Sequence, residues 1–75
     1  MNTINKSILL FVGLRVKRRR KTLGYTQAQV AEAVGLSRAS IANLETGRQD
    51  CPITTLHAIA NSLEIPLWKL VKQND

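Results

Sequence analysis

The chain has 75 residues, one cysteine, one histidine and a formal net charge of +6 at pH 7. This length suffices for one small domain, so we predict a single domain over residues 1–75, with a flexible N-terminus at 1–6 and a frayed C-terminus at 72–75. One cysteine excludes an intrachain disulfide and a cysteine-based metal site. The sequence has no paired carboxylates, glycine-rich phosphate loop or metal-ligand spacing, so an enzyme is disfavoured and no cofactor or metal is expected.

The positive charge is unevenly distributed. Residues 1–48 contain nine basic and two acidic residues, whereas residues 49–75 contain two basic and three acidic residues. This excess predicts an anionic partner, with nucleic acid favoured over an acidic membrane. No segment approaches the roughly 20 apolar residues that a membrane-spanning helix needs. We therefore expect a cytoplasmic protein without a membrane partner, and no small-molecule ligand is evident.

The first predicted helix runs from Ser7 to Thr22, with Ile8, Val12 and Val16 forming an apolar stripe at i, i+4 and i+8. Gly13 counts against this helix, because glycine costs about 1 kcal/mol in a helix interior.

The same helix contains the densest charge of the chain, RVKRRRK over residues 15–21. This run is open to three interpretations: a solvated helix face, a membrane-surface helix, or contacts with the DNA backbone. The membrane interpretation conflicts with the need for the apolar stripe in the core. A mixture of the first and third is favoured.

The stretch 26–47 predicts two short helices separated by a tight turn. Thr26 and Gln29 form a capping-box pattern, and Gly35 suits the positive φ of a helix C-terminus. Ser37 offers an N-cap for a helix over 38–46, which Gly47 ends. The spacing fits either a simple helical hairpin or a helix-turn-helix, in which the second helix enters the major groove.

Two more helices are predicted downstream. Pro52 precedes a helix whose apolar stripe is Leu56, Ile59, Ala60 and Leu63. Pro66 precedes a short helix from Leu67 to Val71 that is too apolar to hide all its side chains on its own. No strand is predicted.

The pattern T-Q-x-x-[VL]-A-x-x-x-G-[LV]-S-x-x-x-I-x-x-x-E-x-G over residues 26–47 resembles the phage-repressor and Cro-like helix-turn-helix family, also called the xenobiotic-response-element family. The resemblance continues through Leu-Gly-Tyr before this stretch and T-L-x-x-I-A-x-x-L after it, and covers roughly residues 12 to 71. It implies an all-α, compact five-helix lambda-repressor-like DNA-binding domain. The expected partner is double-stranded DNA.

The resemblance also implies roles for individual residues. Arg38, Ala39 and Asn43 match positions that read bases in the family, and we add Ser37 beside them as a base-reading residue. Gln27 matches a position that contacts the DNA backbone in the family. Further phosphate contacts are predicted from their places in the chain, at Thr26, Thr46, Arg48 and, in the basic run, Arg19. For Gln27, helix capping alone is the competing interpretation.

Two further contacts follow from the same resemblance. Arg20 and Glu45 are expected to form a partly buried ion pair, the alternative being two unrelated surface charges. A homodimer contact is expected at Leu67, Trp68 and Val71, the alternative being that these residues only cover the core.

The function expected from these features is sequence-specific transcriptional regulation, with a homodimer bound to a near-palindromic operator. The alternative within the same fold is an antitoxin or a restriction–modification controller protein, which binds a partner protein or regulates its own operon.

Overall fold

The structure of the protein, a computed structural model, describes residues 6–72. Over this range it contains five α-helices and no strand, so the predicted all-α architecture is confirmed: α1 (Lys6–Leu23), α2 (Gln27–Val34), α3 (Arg38–Glu45), α4 (Ile53–Ser62) and α5 (Leu67–Val71). None of these helices is long and apolar enough to cross a membrane. The predicted flexible and frayed ends lie outside the described residues, except that Lys6 begins α1 and Lys72 caps α5.

One apolar core joins all five helices. Each helix contributes a side chain that is at most 2% exposed: Val16, Val30, Ile41, Ile59 and Leu70. Around these residues α1 packs on α3 and α5, while α2 packs on α3 and α4. Of the predicted stripe of α1, Val16 is buried in this core and Val12 packs against it half-buried, whereas Ile8 is 38% exposed.

The helix boundaries follow local capping chemistry. The capping box of α2 is confirmed, because Thr26 Oγ1 accepts from the Gln29 N–H at 3.0 Å and Gln29 Oε1 accepts from the Thr26 N–H at 2.8 Å. Gly35 ends α2 with a φ of 74°, which glycine adopts without the steric cost of a Cβ. Ser37 caps α3 through its Oγ, which accepts from the Ser40 N–H at 3.0 Å. These signals fix a turn of three residues between the two helices.

Gly13 sets the distance between α1 and α3. A Cβ at this position would lie 2.9 Å from both the carbonyl carbon and oxygen of Glu45, and closer still to the carbonyl oxygen of Leu44. Because backbone atoms of α3 cannot rotate out of the way as a side chain can, only glycine permits this approach. Gly13, which lowers the helix propensity of α1, is therefore the residue that allows α3 to pack closely against α1.

We expect Gly13→Ala to lower the free energy of unfolding by about 1–2 kcal/mol. Alanine gains about 1 kcal/mol of helix propensity, but overpacking against a backbone costs about 1–3 kcal/mol, here at the upper end. Urea denaturation measures the change. Thr22→Ala, at an exposed position of the same helix, is the control and should leave stability unchanged or raise it. A Gly13→Ala variant as stable as this control would contradict the close packing.

Candidate nucleic-acid interface

The outer side of α3 presents a short row of accessible side chains. Arg38 and Ala39 are exposed in the first turn, Asn43 is half-buried one and a half turns later, and Thr46 is exposed at the C-cap. Ile41 and Leu44 point the other way into the core. The helix thus has one face free of the protein interior, as a helix that enters the major groove must have.

The structure brings Arg20 and Glu45 together in the protein interior. Arg20 Nε donates to Glu45 Oε2 at 2.6 Å, and Arg20 Nη2 donates to Glu45 Oε1 at 3.0 Å. The two residues are only 7% and 5% exposed. A third donor, Arg20 Nη1, reaches the carbonyl oxygen of Tyr25 at 2.9 Å. This bidentate pair ties α1, the loop before α2 and the last residue of α3 to one another.

The hydrogen bond to Glu45 raises the pKa of Arg20 above its usual value, against the opposing effect of burial. Because the pKa of the guanidinium is higher in the folded protein, protonated Arg20 favours the folded state, and this contribution is present at pH values below the pKa of arginine in the unfolded chain. The guanidinium therefore keeps its charge over the whole neutral range.

Gln27 links this buried pair to the first residue of α3. Its Nε2 donates to Glu45 Oε1 at 3.0 Å, and its Oε1 accepts from Arg38 Nη1 at 3.1 Å. The sequence prediction assigned Gln27 to a DNA phosphate. In the structure both ends of its amide have protein partners, and the side chain holds Arg38 in place.

The other predicted phosphate-binding residues lie near the two ends of α3. Thr26 is exposed beside the N-terminus of α2, and Arg48 is exposed just after α3. Thr46 is exposed, and its hydroxyl donates to the carbonyl oxygens of Ala42 and Asn43, each at 3.2 Å. Ser37, predicted to read bases, is exposed and serves as the N-cap of α3.

Arg19 does not lie with this group. Its Nε donates to the carbonyl oxygen of Leu63 at 2.8 Å, and its Nη2 donates to that of Glu64 at 3.0 Å. These carbonyls follow α4, where Glu64 has a φ of 57° and the chain leaves the helix. The side chain therefore caps α4, a role for which the sequence carries no local signal, because 44 residues separate Arg19 from Leu63.

The residues predicted for a dimer contact differ in their surroundings. Leu67 is half-buried and packs against the core. Val71 is 38% exposed and lines an apolar groove with Ile8 and Ile53. Trp68 is 55% exposed and lies in a different groove, among basic side chains. Only Val71 of the three belongs to an exposed apolar surface.

A turn of three residues between α2 and α3, with the second helix seated on the core and accessible along one face, defines a helix-turn-helix protein. The helix-turn-helix family model HTH_3 matches residues 16–67, and the chain belongs to this family. The phage-repressor and Cro-like resemblance of the sequence is thereby confirmed.

Relatives by sequence include repressors and antitoxins. The chain is 40% identical over 60 residues to the immunity repressor protein of Bacillus phage phi105, a match that covers 80% of this chain and 42% of the repressor. It is 33% identical over 48 residues to the antitoxin HipB of Escherichia coli K12, covering 64% of this chain and 54% of the antitoxin. The chain thus spans about half the length of these two relatives or less.

Solved structures show the same fold. The restriction–modification controller protein C.AhdI from Aeromonas hydrophila superposes with a TM-score of 0.82 at 25% identity, covering 87% of this chain and 94% of the controller. The biofilm regulator SinR, solved in complex with DNA, superposes with a TM-score of 0.75 at 27% identity, covering 81% of this chain and 98% of the SinR chain in that structure. These similarities confirm the expected lambda-repressor-like fold.

We expect Glu45→Ala to reduce the free energy of unfolding by about 3–5 kcal/mol, because it strands the buried Arg20 charge without its counterion. The matched control is Glu32→Ala, which removes an exposed glutamate of α2 and should change stability by less than about 0.5 kcal/mol. Denaturant titration monitored by circular dichroism measures both. Equal losses for the two variants would show that the pair does not hold the fold.

Proposed function

We propose that the protein is a sequence-specific transcriptional regulator that lays α3 in the major groove of duplex DNA. The observation that carries this proposal is the first turn of α3, where an exposed arginine is held by a glutamine that is itself fixed to a buried carboxylate. Arg38, Gln27 and Glu45 form this relay. An arginine oriented before binding loses less side-chain freedom when it meets its target.

Arg38 is the principal base-reading residue of the proposal. Its guanidinium presents donors that match guanine O6 and N7 in the major groove. The methyl group of Ala39 suits contact with a thymine methyl, and the Asn43 amide suits adenine. Ser37, the N-cap of α3, is the fourth residue predicted to contact bases. Because one of these positions is only alanine, DNA shape contributes part of the specificity.

Phosphate contacts position the recognition helix. The N–H groups of Gln27 and Ala28 in the first turn of α2 have no acceptor within the helix, so the N-terminus of α2, next to Thr26, suits a phosphate through the backbone. At the other end of α3, Thr46 and Arg48 are both exposed and able to reach the opposite strand backbone. Such contacts fix the register of the protein and carry no sequence information themselves.

A homodimer completes the proposal, because two recognition helices about 34 Å apart would read a near-palindromic operator. The surface that supports dimerisation is the apolar groove formed by Ile8, Ile53 and Val71, which are 38%, 60% and 38% exposed. Contact through Trp68 would instead bring the basic residues around it close to their copies in the partner, which like-charge repulsion opposes.

A second candidate is a restriction–modification controller or an antitoxin of the same fold. The match with C.AhdI, which spans 94% of the controller, favours the first of these, and the sequence identity with HipB favours the second. Expression from the native locus with an affinity tag separates the antitoxin from a regulator that acts without a protein partner. Recovery of a second small protein would support an antitoxin, and recovery of the regulator alone would support a regulator that acts by itself.

We expect Arg38→Ala to weaken binding to the selected operator by about 1–3 kcal/mol and to relax the preference at one position in each half-site. Selection from random duplex DNA, followed by titration of the selected sites, measures both effects. The control is Arg48→Ala, which should weaken binding to all sequences to a similar extent, because it contacts phosphate. An unchanged consensus for Arg38→Ala would refute its role in base reading.

Ile53→Glu should convert the dimer into a monomer. The substitution places a charge in the apolar groove, while an acidic residue in the first turn of α4 is compatible with the helix dipole, so folding is preserved. Sedimentation equilibrium measures the mass. Leu14→Glu is the control, because Leu14 is 44% exposed and lies outside the groove. A wild-type chain that is already monomeric at operator-saturating concentrations would contradict the dimer.

A further inference from the structure

A second basic surface lies between α1 and α5. The groove there has a volume of about 400 Å³, and among residues 6–72 no acidic residue lines it. It contains five of the 11 basic residues of the chain and its single tryptophan. These residues, which we call the α1–α5 groove, are Arg15, Arg18, Arg19, Lys69, Lys72 and Trp68.

This groove faces away from the recognition helix. Gly13 marks the side of α1 that touches α3. At 3.6 residues per turn, Arg15 and Arg18 lie about 200° and 140° around the helix axis from Gly13. A duplex bound against α3 therefore leaves the α1–α5 groove uncovered, and the charges of the groove call for a different ligand.

Two of the arginines form a fixed wall of the groove. Arg15 Nη1 donates to the carbonyl oxygen of Lys69 at 2.7 Å, and its guanidinium lies 4.3 Å from the ring centre of Phe11. Arg19 is held by the carbonyl oxygens after α4. These contacts connect α1 to α5 and to the end of α4, and they orient both guanidinium groups.

Exposed groups complete the groove. Arg18, Lys69 and Lys72 are exposed, and Trp68 presents an indole that is 55% exposed. The Nζ atoms of Lys69 and Lys72 each lie 5.6 Å from the indole ring centre. Trp68 thus presents a flat aromatic face beside cationic groups.

The combination of cations and an aromatic face matches the two parts of a nucleotide. Guanidinium and ammonium groups donate charge-assisted hydrogen bonds to phosphate oxygens. A nucleobase stacks on an indole, and this stacking tolerates any base because every base has a π-face. The lysine contacts with the indole are exposed and weak, so both ammonium groups can turn to a phosphate and leave the ring to the base.

We propose that the α1–α5 groove binds a phosphate-bearing nucleotide, either free or as part of a single strand. The site uses none of the residues that contact the operator in the proposed function; Arg19, which the sequence predicted as a phosphate contact of the operator, lies in this groove instead. A test of nucleotide binding in the groove can therefore fail while the proposed regulator function stands, and the reverse.

Trp68 is the only tryptophan, so its fluorescence reports binding in the full chain directly. The probes are ATP, the oligonucleotide (dT)8, adenosine and inorganic pyrophosphate. We expect saturable quenching by ATP or (dT)8 at least about tenfold tighter than by adenosine or pyrophosphate, since only the first two offer both base and phosphate. Quenching by ATP identifies a free nucleotide as the ligand, and quenching by (dT)8 alone identifies a single strand.

Two charge-matched variants test the location. Arg18→Glu should weaken binding of the quenching probe by about tenfold or more, whereas Arg48→Glu, which changes the net charge equally, should alter it less than about twofold. For the operator duplex, Arg48→Glu should weaken binding more than Arg18→Glu does. Equal effects of the two variants on the probe, no saturable quenching at millimolar probe, or a response to anionic lipid vesicles alone would overturn the proposal.

Discussion

The position of the recognition helix depends on one buried ion pair. Taking a carboxylate and a guanidinium out of water costs several kcal/mol per ion, and the pair is tolerated only when its hydrogen bonds are satisfied. That condition holds for Arg20 and Glu45, since within residues 6–72 no buried side-chain nitrogen or oxygen lacks a partner. Because Glu45 is the last residue of α3, the pair fixes that end of the helix on α1, where Gly13 allows the two backbones to meet.

Through Gln27, the same carboxylate is also connected to the first residue of α3. Glu45 Oε1 accepts from both Arg20 and Gln27, and Gln27 in turn accepts from Arg38. One buried group thus orients the helix and, through a glutamine, its leading exposed side chain. One hydrogen-bond network therefore sets both the orientation of α3 and the position of its first side chain, so a substitution at Arg20 in α1 would also affect Arg38.

The sequence predicted the features whose partners are close along the chain. The capping box of Thr26 and Gln29 acts over three residues, and the left-handed turn at Gly35 needs no distant partner. Apolar periodicity and capping signals likewise placed all five helices; α1 is one residue longer than predicted at each end, and α3 is one residue shorter at its C-terminus. The contact of Gly13 with α3 was not predictable from periodicity, because a helix pattern does not show which helix comes close.

For the site residues as well, contacts between residues distant in the chain were not predictable from spacing. The Arg20 and Glu45 pairing came from family resemblance and not from spacing, since 25 residues separate the two. Gln27 was assigned to phosphate because its position in the first turn of α2 is visible in the sequence, whereas its bridge to Arg38 requires the packing of α2 on α3. Arg19 was grouped with the DNA-binding residues because charge alone does not distinguish a phosphate ligand from a helix cap.

The basic run of α1 shows why a net charge does not locate a binding surface. Neighbouring residues of a helix point about 100° apart, so consecutive arginines necessarily serve different surroundings. Arg18 is exposed, Arg19 caps α4, and Arg20 is buried against Glu45. The charge density, for which the sequence favoured a mixture of a solvated helix face and DNA-backbone contacts, is therefore divided among a groove, a helix terminus and the core. α3 itself carries a single basic residue, Arg38, so the base reading that we propose for it rests on the orientation of that side chain more than on attraction by charge.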